Sequence, residues 1–219
     1  MYDLTLPIDD RLPIYPGDPA PRLERVTSID RGDHLNLSSL STGCHVGTHL
    51  DVPLHFLASG EDVASLAADR LIGKARVVDI AAEEAIARHH LEPLGLPRRT
   101  HLLFRTPSGH MLHQPAFRAD YVCMAPAAAK YLLELEPLSI GIDTYSLDPA
   151  DSTTFPAHRT LAERGVPVVV CLDLQRVPSG DYLYACLPLR LPGADGSPVR
   201  AVLFEKEEWL ALASDEHQA

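Results

Sequence analysis

Along the chain the hydrophobic pattern changes period several times, and each change marks an element. "KARVVDI" (74–80), "HLLFRT" (101–106), "YVCMA" (121–125), "SIGIDT" (139–144) and "VPVVVCLDL" (166–174) are apolar, largely β-branched runs. Such runs predict buried strands. "DYLYACLPLRL" (181–191) and "PVRAVLF" (198–204) predict two more, joined through the turn-forming "PGADGS". A helical period appears in "PAAAKYLLELE" (126–136), opened by Pro126, and in "AHRTLAERG" (157–165), closed by Gly165. "AAEEAIARHHL" (81–91) also reads as a helix, and "DVASLAADRLIG" (62–73) as a helix or helical turn. "EKEEWLALASD" (205–215) reads as a terminal helix anchored by Trp209 and Leu210. The proline-dense "LPIDDRLPIYPGDPAPRLERV" near the start reads as strand, loop, strand.

These elements mix without the strict alternation of a doubly wound sheet, and there is no internal repeat or clear linker. The prediction is one domain over residues 1–219, a strand-rich α/β fold with helices packed outside a sheet or partial barrel. A chain of 219 residues buries a sizeable core without disulfides or a structural metal, so any metal is expected to serve chemistry. The net charge of −11, with no basic stripe, argues against nucleic acid or anionic membrane as a partner. No apolar run reaches the ~20 residues of a membrane helix. Cys44, Cys123, Cys171 and Cys186 form no CxxC pair, and there is no signal-peptide pattern. A reduced, cytoplasmic chain is the expectation.

The chemistry gathers in "GCHVGTHLDVPLHF" (43–56), which holds His45, His49, Asp51 and His55. A helix there would enclose Gly47 and Pro53, and an interior proline costs about 3 kcal/mol. An extended segment instead puts all four side chains on one face. A straight strand would separate His45 from His49 by roughly 13 Å, too far for one ion. A kink or bulge at Gly47–Thr48 is therefore predicted, bringing His45, His49 and Asp51 together. Two imidazoles and a carboxylate suit catalytic zinc with one position left to water. Manganese or iron would accept the same set. His55, standing apart, suits proton transfer. Thr48 is expected to support a ligand by hydrogen bonding, and Cys44 to face the core. Asp143 and Asp148 read as turn and capping groups, and His89, His90, His101, His110 and His113 as surface or supporting residues. Ser108-Gly109-His110 lacks the GxSxG pattern of a nucleophile elbow.

"HVGTHLDVPLH" resembles the HxGTHxDxPxH signature of the cyclase-like metal-dependent hydrolases, a family that includes bacterial kynurenine formamidases (arylformamidases) and isatin hydrolases. The resemblance runs through "YPGDP", "GIDTYSLDP" (141–149), "PAHRTLAERGVPV" and the closing "VPSGDYLYACLPLRLPGADGSPVRAVLF". It implies a swivelling β/β/α fold, assembled as a homodimer or homotetramer. His45, His49 and Asp51 match ligands of a first Zn²⁺ or Mn²⁺, and Asp51 would bridge to a second. His158 matches a ligand of that second ion, and His55 the acid/base residue. Tyr15 stands where a tryptophan commonly meets the substrate. The implied reaction is hydrolysis of a small aryl amide, N-formyl-kynurenine to kynurenine and formate in tryptophan catabolism. A cyclic amide such as isatin is the nearby option, and no residue demands ring closure.

One position departs from the pattern. Twelve residues after His158 the family carries a metal-bridging glutamate, and this chain has Val170. Valine coordinates nothing, which puts the second ion in question. It also keeps open a different class of function, a family member of weak or no activity that binds a small aromatic ligand.

Overall fold

The computed structural model describes residues 1–213. In chain order its strands are β1 (Tyr2–Asp3), β2 (Arg22–Thr27), β3 (Leu37–Ser41), β4 (His49–Asp51), β5 (Ile72–Asp79) and β6 (Ala85–Ile86). There follow β7 (His101–Arg105), β8 (Cys123–Met124), β9 (Ser139–Ile142), β10 (Val168–Val170), β11 (Gly180–Pro188) and β12 (Gly196–Phe204). The helices are α1 (Arg88–Leu91), α2 (Pro126–Glu134), α3 (Pro156–Ala162) and α4 (Lys206–Ala213).

One sheet runs β1-β12-β11-β5-β7-β9-β10-β4, and a further pairing of β12 with β4 closes it. The result is a barrel of seven strands with β1 appended, more completely closed than a partial barrel. β5, β7, β9 and β10 are parallel neighbours, as expected of apolar runs covered on both sides. Leu50, Ala75, Val77, Leu103, Val169, Tyr184 and Ala201 belong to the cluster that fills the barrel. The other cluster coats its outside, where Leu102, Phe104, Ile140, Ile142, Val168 and Val170 meet Ala128, Ala129 and Leu132 of α2 and Ala157 and Leu161 of α3. Along β7 and β10 side chains alternate between these two clusters. β4 lies between β10 and β12, and Leu50 points inward. His49 and Asp51 therefore face outward, into the helix-covered layer.

Several predicted boundaries shift. Only Arg88–Leu91 of the segment 81–91 is helical, because Ala85–Ile86 pairs with Cys123–Met124 as a small parallel sheet. Tertiary pairing there overrides helical propensity. The segment 62–73 contributes a single 3₁₀ turn, Ala68–Leu71. The strand of 166–174 ends at Val170, since Cys171 has φ +56° and leaves extended geometry. Trp209 packs edge-on against Phe204, but Leu210, the other expected anchor, is exposed. Ser214 and Asp215 of the predicted terminal helix lie outside the described residues. His101, expected to be a surface or supporting residue, is fully buried, with Nδ1 2.7 Å from Ser139 Oγ.

Candidate active site

The predicted kink is present at Gly47, whose φ of +57° is a conformation glycine adopts at no steric cost. It turns the chain before β4, so only His49 and Asp51 sit on the strand and His45 reaches back over them. Thr48 serves the kink, not a metal ligand. Its hydroxyl donates to the Cys171 carbonyl (2.7 Å) and accepts from the Leu6 amide (2.9 Å). Pro53 then starts a 3₁₀ turn, Pro53–His55, so His55 is placed by that turn and not by strand alternation. Cys44 is half-buried rather than core.

These bends bring the four groups together. His45 Nδ1 lies 2.8 Å from Asp51 Oδ1, and His49 Nε2 lies 3.4 Å from the same oxygen. His49 Nδ1 donates to the Gly47 carbonyl at 2.7 Å, which turns Nε2 toward the cluster. Donor atoms of His45, His49 and Asp51 all lie within 4.8 Å of one another, a spread one divalent ion can draw together. His55 stacks on His45 with ring centroids 3.9 Å apart.

Asp195, in the β11–β12 connection, is the residue the sequence reading missed. Its Oδ2 lies 3.0 Å from His55 Nδ1 and 3.1 Å from His45 Nε2, so His45, His55 and Asp195 form a second converging donor group. The approach to His45 is an ion-pair distance without hydrogen-bond alignment. Gly196 beside it is required for space: a Cβ there would lie 2.6 Å from His45 Cε1 and 2.8 Å from the Leu50 carbonyl.

The electrostatics call for a cation. Burial opposes charge on His45, but Asp51 and then Asp195 outweigh it and raise its pKa to about 9. Burial also works against the Asp51 carboxylate, yet His49 and His45 hold its pKa well below the usual range. Burial, aided by neighbouring His45 and opposed by Asp51 and Asp195, lowers the pKa of His55. The residues therefore fit a divalent ion, whose positive charge would take the place of the proton on His45.

His158 arrives from the first turn of α3. The carboxylate of Asp148 accepts from the Ala157 and His158 amides (2.9 and 3.0 Å) and from His158 Nδ1 (2.7 Å). Asp148 is thus a cap, as predicted, and also the group that orients this ring. His158 Nε2 is buried, has no hydrogen-bond partner and lies 3.6 Å from Asp51 Oδ2. Val170 pairs with His49 across β10 and β4 and shares its face, fully buried. Apolar methyl groups therefore stand beside the cluster.

All of this opens on one cavity of about 360 Å³, walled by Tyr15, Phe56, Tyr145 and Phe155 as well as the histidines. Cys171 lines it too, because its left-handed backbone breaks the alternation of β10. Burial, then Asp51 and Asp143, push its thiol above the ordinary range. Phe155 has φ +45°, so two non-glycine residues with left-handed backbones border the cavity. Such conformations gather at functional sites.

Comparison with known proteins identifies the family. The family model Cyclase matches residues 2–149. A kynurenine formamidase of Paracidovorax citrulli is 36% identical over 210 residues, covering 93% of this chain and 95% of its own. Among solved structures, a potential metal-dependent hydrolase with cyclase activity superposes with a TM-score of 0.81 at 29% identity, covering 94% of this chain and 97% of its own. An isatin hydrolase bound to the product analogue thioisatinate shares the fold, with a TM-score of 0.82 at 20% identity, covering 94% of this chain and 92% of its own. The chain belongs to the cyclase family and groups with its kynurenine formamidases as an amidohydrolase.

Proposed function

We propose that the protein hydrolyses a small aryl amide, N-formyl-kynurenine first among candidates, at an ion held by His45, His49 and Asp51. The observation that carries this reading is the convergence of those three donors at the floor of an aromatic-walled cavity, with His55 stacked above them. The relative's name supplies the substrate: the Paracidovorax citrulli protein is a kynurenine formamidase.

When bound, a zinc or manganese ion supplies Lewis acidity, lowering the pKa of water and polarising a carbonyl. The chain's own residues do the rest. Tyr15, Phe56 and Phe155 provide ring surfaces for the aryl group, and the cavity volume suits a small aromatic molecule. His55 takes a proton from the attacking water and returns it to the departing amine. Its side chain is about a third exposed, so protons exchange with solvent, and Asp195 orients it through Nδ1. The free cysteines fit a reducing, cytoplasmic setting, and no helix among the described residues is long and apolar enough to cross a membrane. Assembly as a homodimer or homotetramer belongs to the same reading.

Val170 favours a second reading, a family member that binds an aromatic ligand without turnover. One experiment separates them: formate release from N-formyl-kynurenine, and ring opening of isatin, with zinc or manganese added. Chelator-sensitive hydrolysis of the formamide supports the proposal, and faster opening of isatin would move it to cyclic amides. No turnover by a metal-loaded protein would leave the binding role.

A further inference from the structure

The valine beside His49 bears on how many ions the site holds and on what His158 does. Among the described residues, three or more donors converge in two groups, His45–His49–Asp51 and His45–His55–Asp195. Both use His45, so they compete for one ion. Neither includes His158. Around His158 Nε2 the nearest carboxylate oxygen is Asp51 Oδ2 at 3.6 Å, which makes two donors where a catalytic zinc takes three or more from the protein. The third would come from position 170. The strand register places Val170 opposite His49 on the same face, so the side chain is correctly aimed and chemically inert.

His158 is nevertheless built with care. Its ring stacks on Phe56 (centroids 4.6 Å apart, planes 24° apart), and its Nδ1 proton is committed to Asp148. The open atom is Nε2, buried at the cavity wall without a partner. An imidazole nitrogen held in that way is costly unless something entering the cavity bonds it. With Nδ1 bonded to the Asp148 carboxylate, Nε2 is the ring atom left to face the cavity, and an aryl amide presents an N–H beside its carbonyl.

We propose that this chain holds one ion, at His45, His49 and Asp51, and that His158 is a substrate-binding residue that accepts the amide N–H instead of ligating a second metal. This rests on the ion-site reading above and specifies it for this chain.

The test uses the full chain loaded with zinc and, separately, manganese, desalted and analysed for metal. One ion per chain is expected in the wild type and in His158→Leu. Two tightly held ions in the wild type, or loss of an ion in His158→Leu, would overturn the proposal. A folded Val170→Glu protein should take up a second ion, and one that folds and still holds one contradicts the account of valine. The second readout compares formanilide with N-methylformanilide, which lacks the N–H. Wild-type kcat/KM should favour formanilide, and His158→Leu should lose about ten- to a hundredfold on formanilide alone, with His158→Gln recovering part of it. An equal loss on both substrates would remove the N–H contact. The metal count stands whether or not any formamide is turned over, so failure of the proposed reaction and failure of this inference are separate results.

Discussion

His55 lies face to face with His45, ring centroids 3.9 Å apart and planes 25° apart, and one carboxylate oxygen of Asp195 approaches both rings. The ring proposed to move protons is thus held against a ring proposed to bind the ion, without sharing the His45–His49–Asp51 donor group. Replacing His55 with alanine should leave metal content unchanged and lower kcat by about 10²–10⁴-fold. Formate release with parallel metal analysis checks both halves. Unchanged turnover would remove His55 from the mechanism.

Gly196 sets how closely β12 approaches His45. A Cβ there would meet the His45 ring and the Leu50 carbonyl at 2.6 and 2.8 Å, and the backbone partner has little freedom to retreat. Gly196→Ala should destabilise the fold by about 1–3 kcal/mol and displace His45. Zinc affinity should fall about ten- to a hundredfold, the usual size of effect when a ligand loses its orientation. Denaturant unfolding and a chelator competition titration measure the two losses.

Tyr15 contributes a ring to the cavity wall, edge-on to Phe117 at 5.0 Å, and its hydroxyl donates to the Ala150 carbonyl at 3.3 Å and interacts with the Tyr121 hydroxyl. Tyr15→Ala should raise KM about three- to tenfold through lost aromatic contact, and Tyr15→Phe should change it little. Steady-state kinetics on an aryl formamide decide this. Equal KM values for all three proteins would take Tyr15 out of substrate binding.

His101 gives the fold an acid-sensitive point that is not part of the cavity lining. Burial lowers its pKa to about 4, against 6.5 for an ordinary histidine. Below about pH 6.5 the unfolded chain takes up a proton that the folded chain refuses, so stability falls as pH drops toward 4 and levels off beneath it. The contribution lost at pH 5 is about 2 kcal/mol relative to pH 8. Urea unfolding of wild type and His101→Gln at pH 5 and pH 8 should show the smaller decline in the variant. Equal declines would mean that His101 accepts a proton in place.

Much of this was legible in the sequence because its signals are local. A glycine between histidines predicts a kink, and the kink lies at Gly47. The pure apolar runs predict buried strands, and β5, β7, β9 and β10 are parallel barrel strands. Local signals misled where distant pairing competed: residues 81–91 have helical composition, yet Ala85–Ile86 pairs with β8. His101, read as a surface or supporting residue, is fully buried for the same reason, since the neighbours of β7 cover it.

The sequence by itself determined the donors, their spacing and the hinge between them, together with the absence of a carboxylate at position 170. Tertiary structure alone decided that Asp195, 140 residues beyond His55, completes the cluster. It also decided that Cys171 turns into the cavity, and that Nε2 of His158 stands unpartnered 3.6 Å from Asp51 Oδ2. The physical reason is barrel closure. β4 is held between β10 and β12, so the chemistry around His49 depends on which distant residues those two strands bring alongside it.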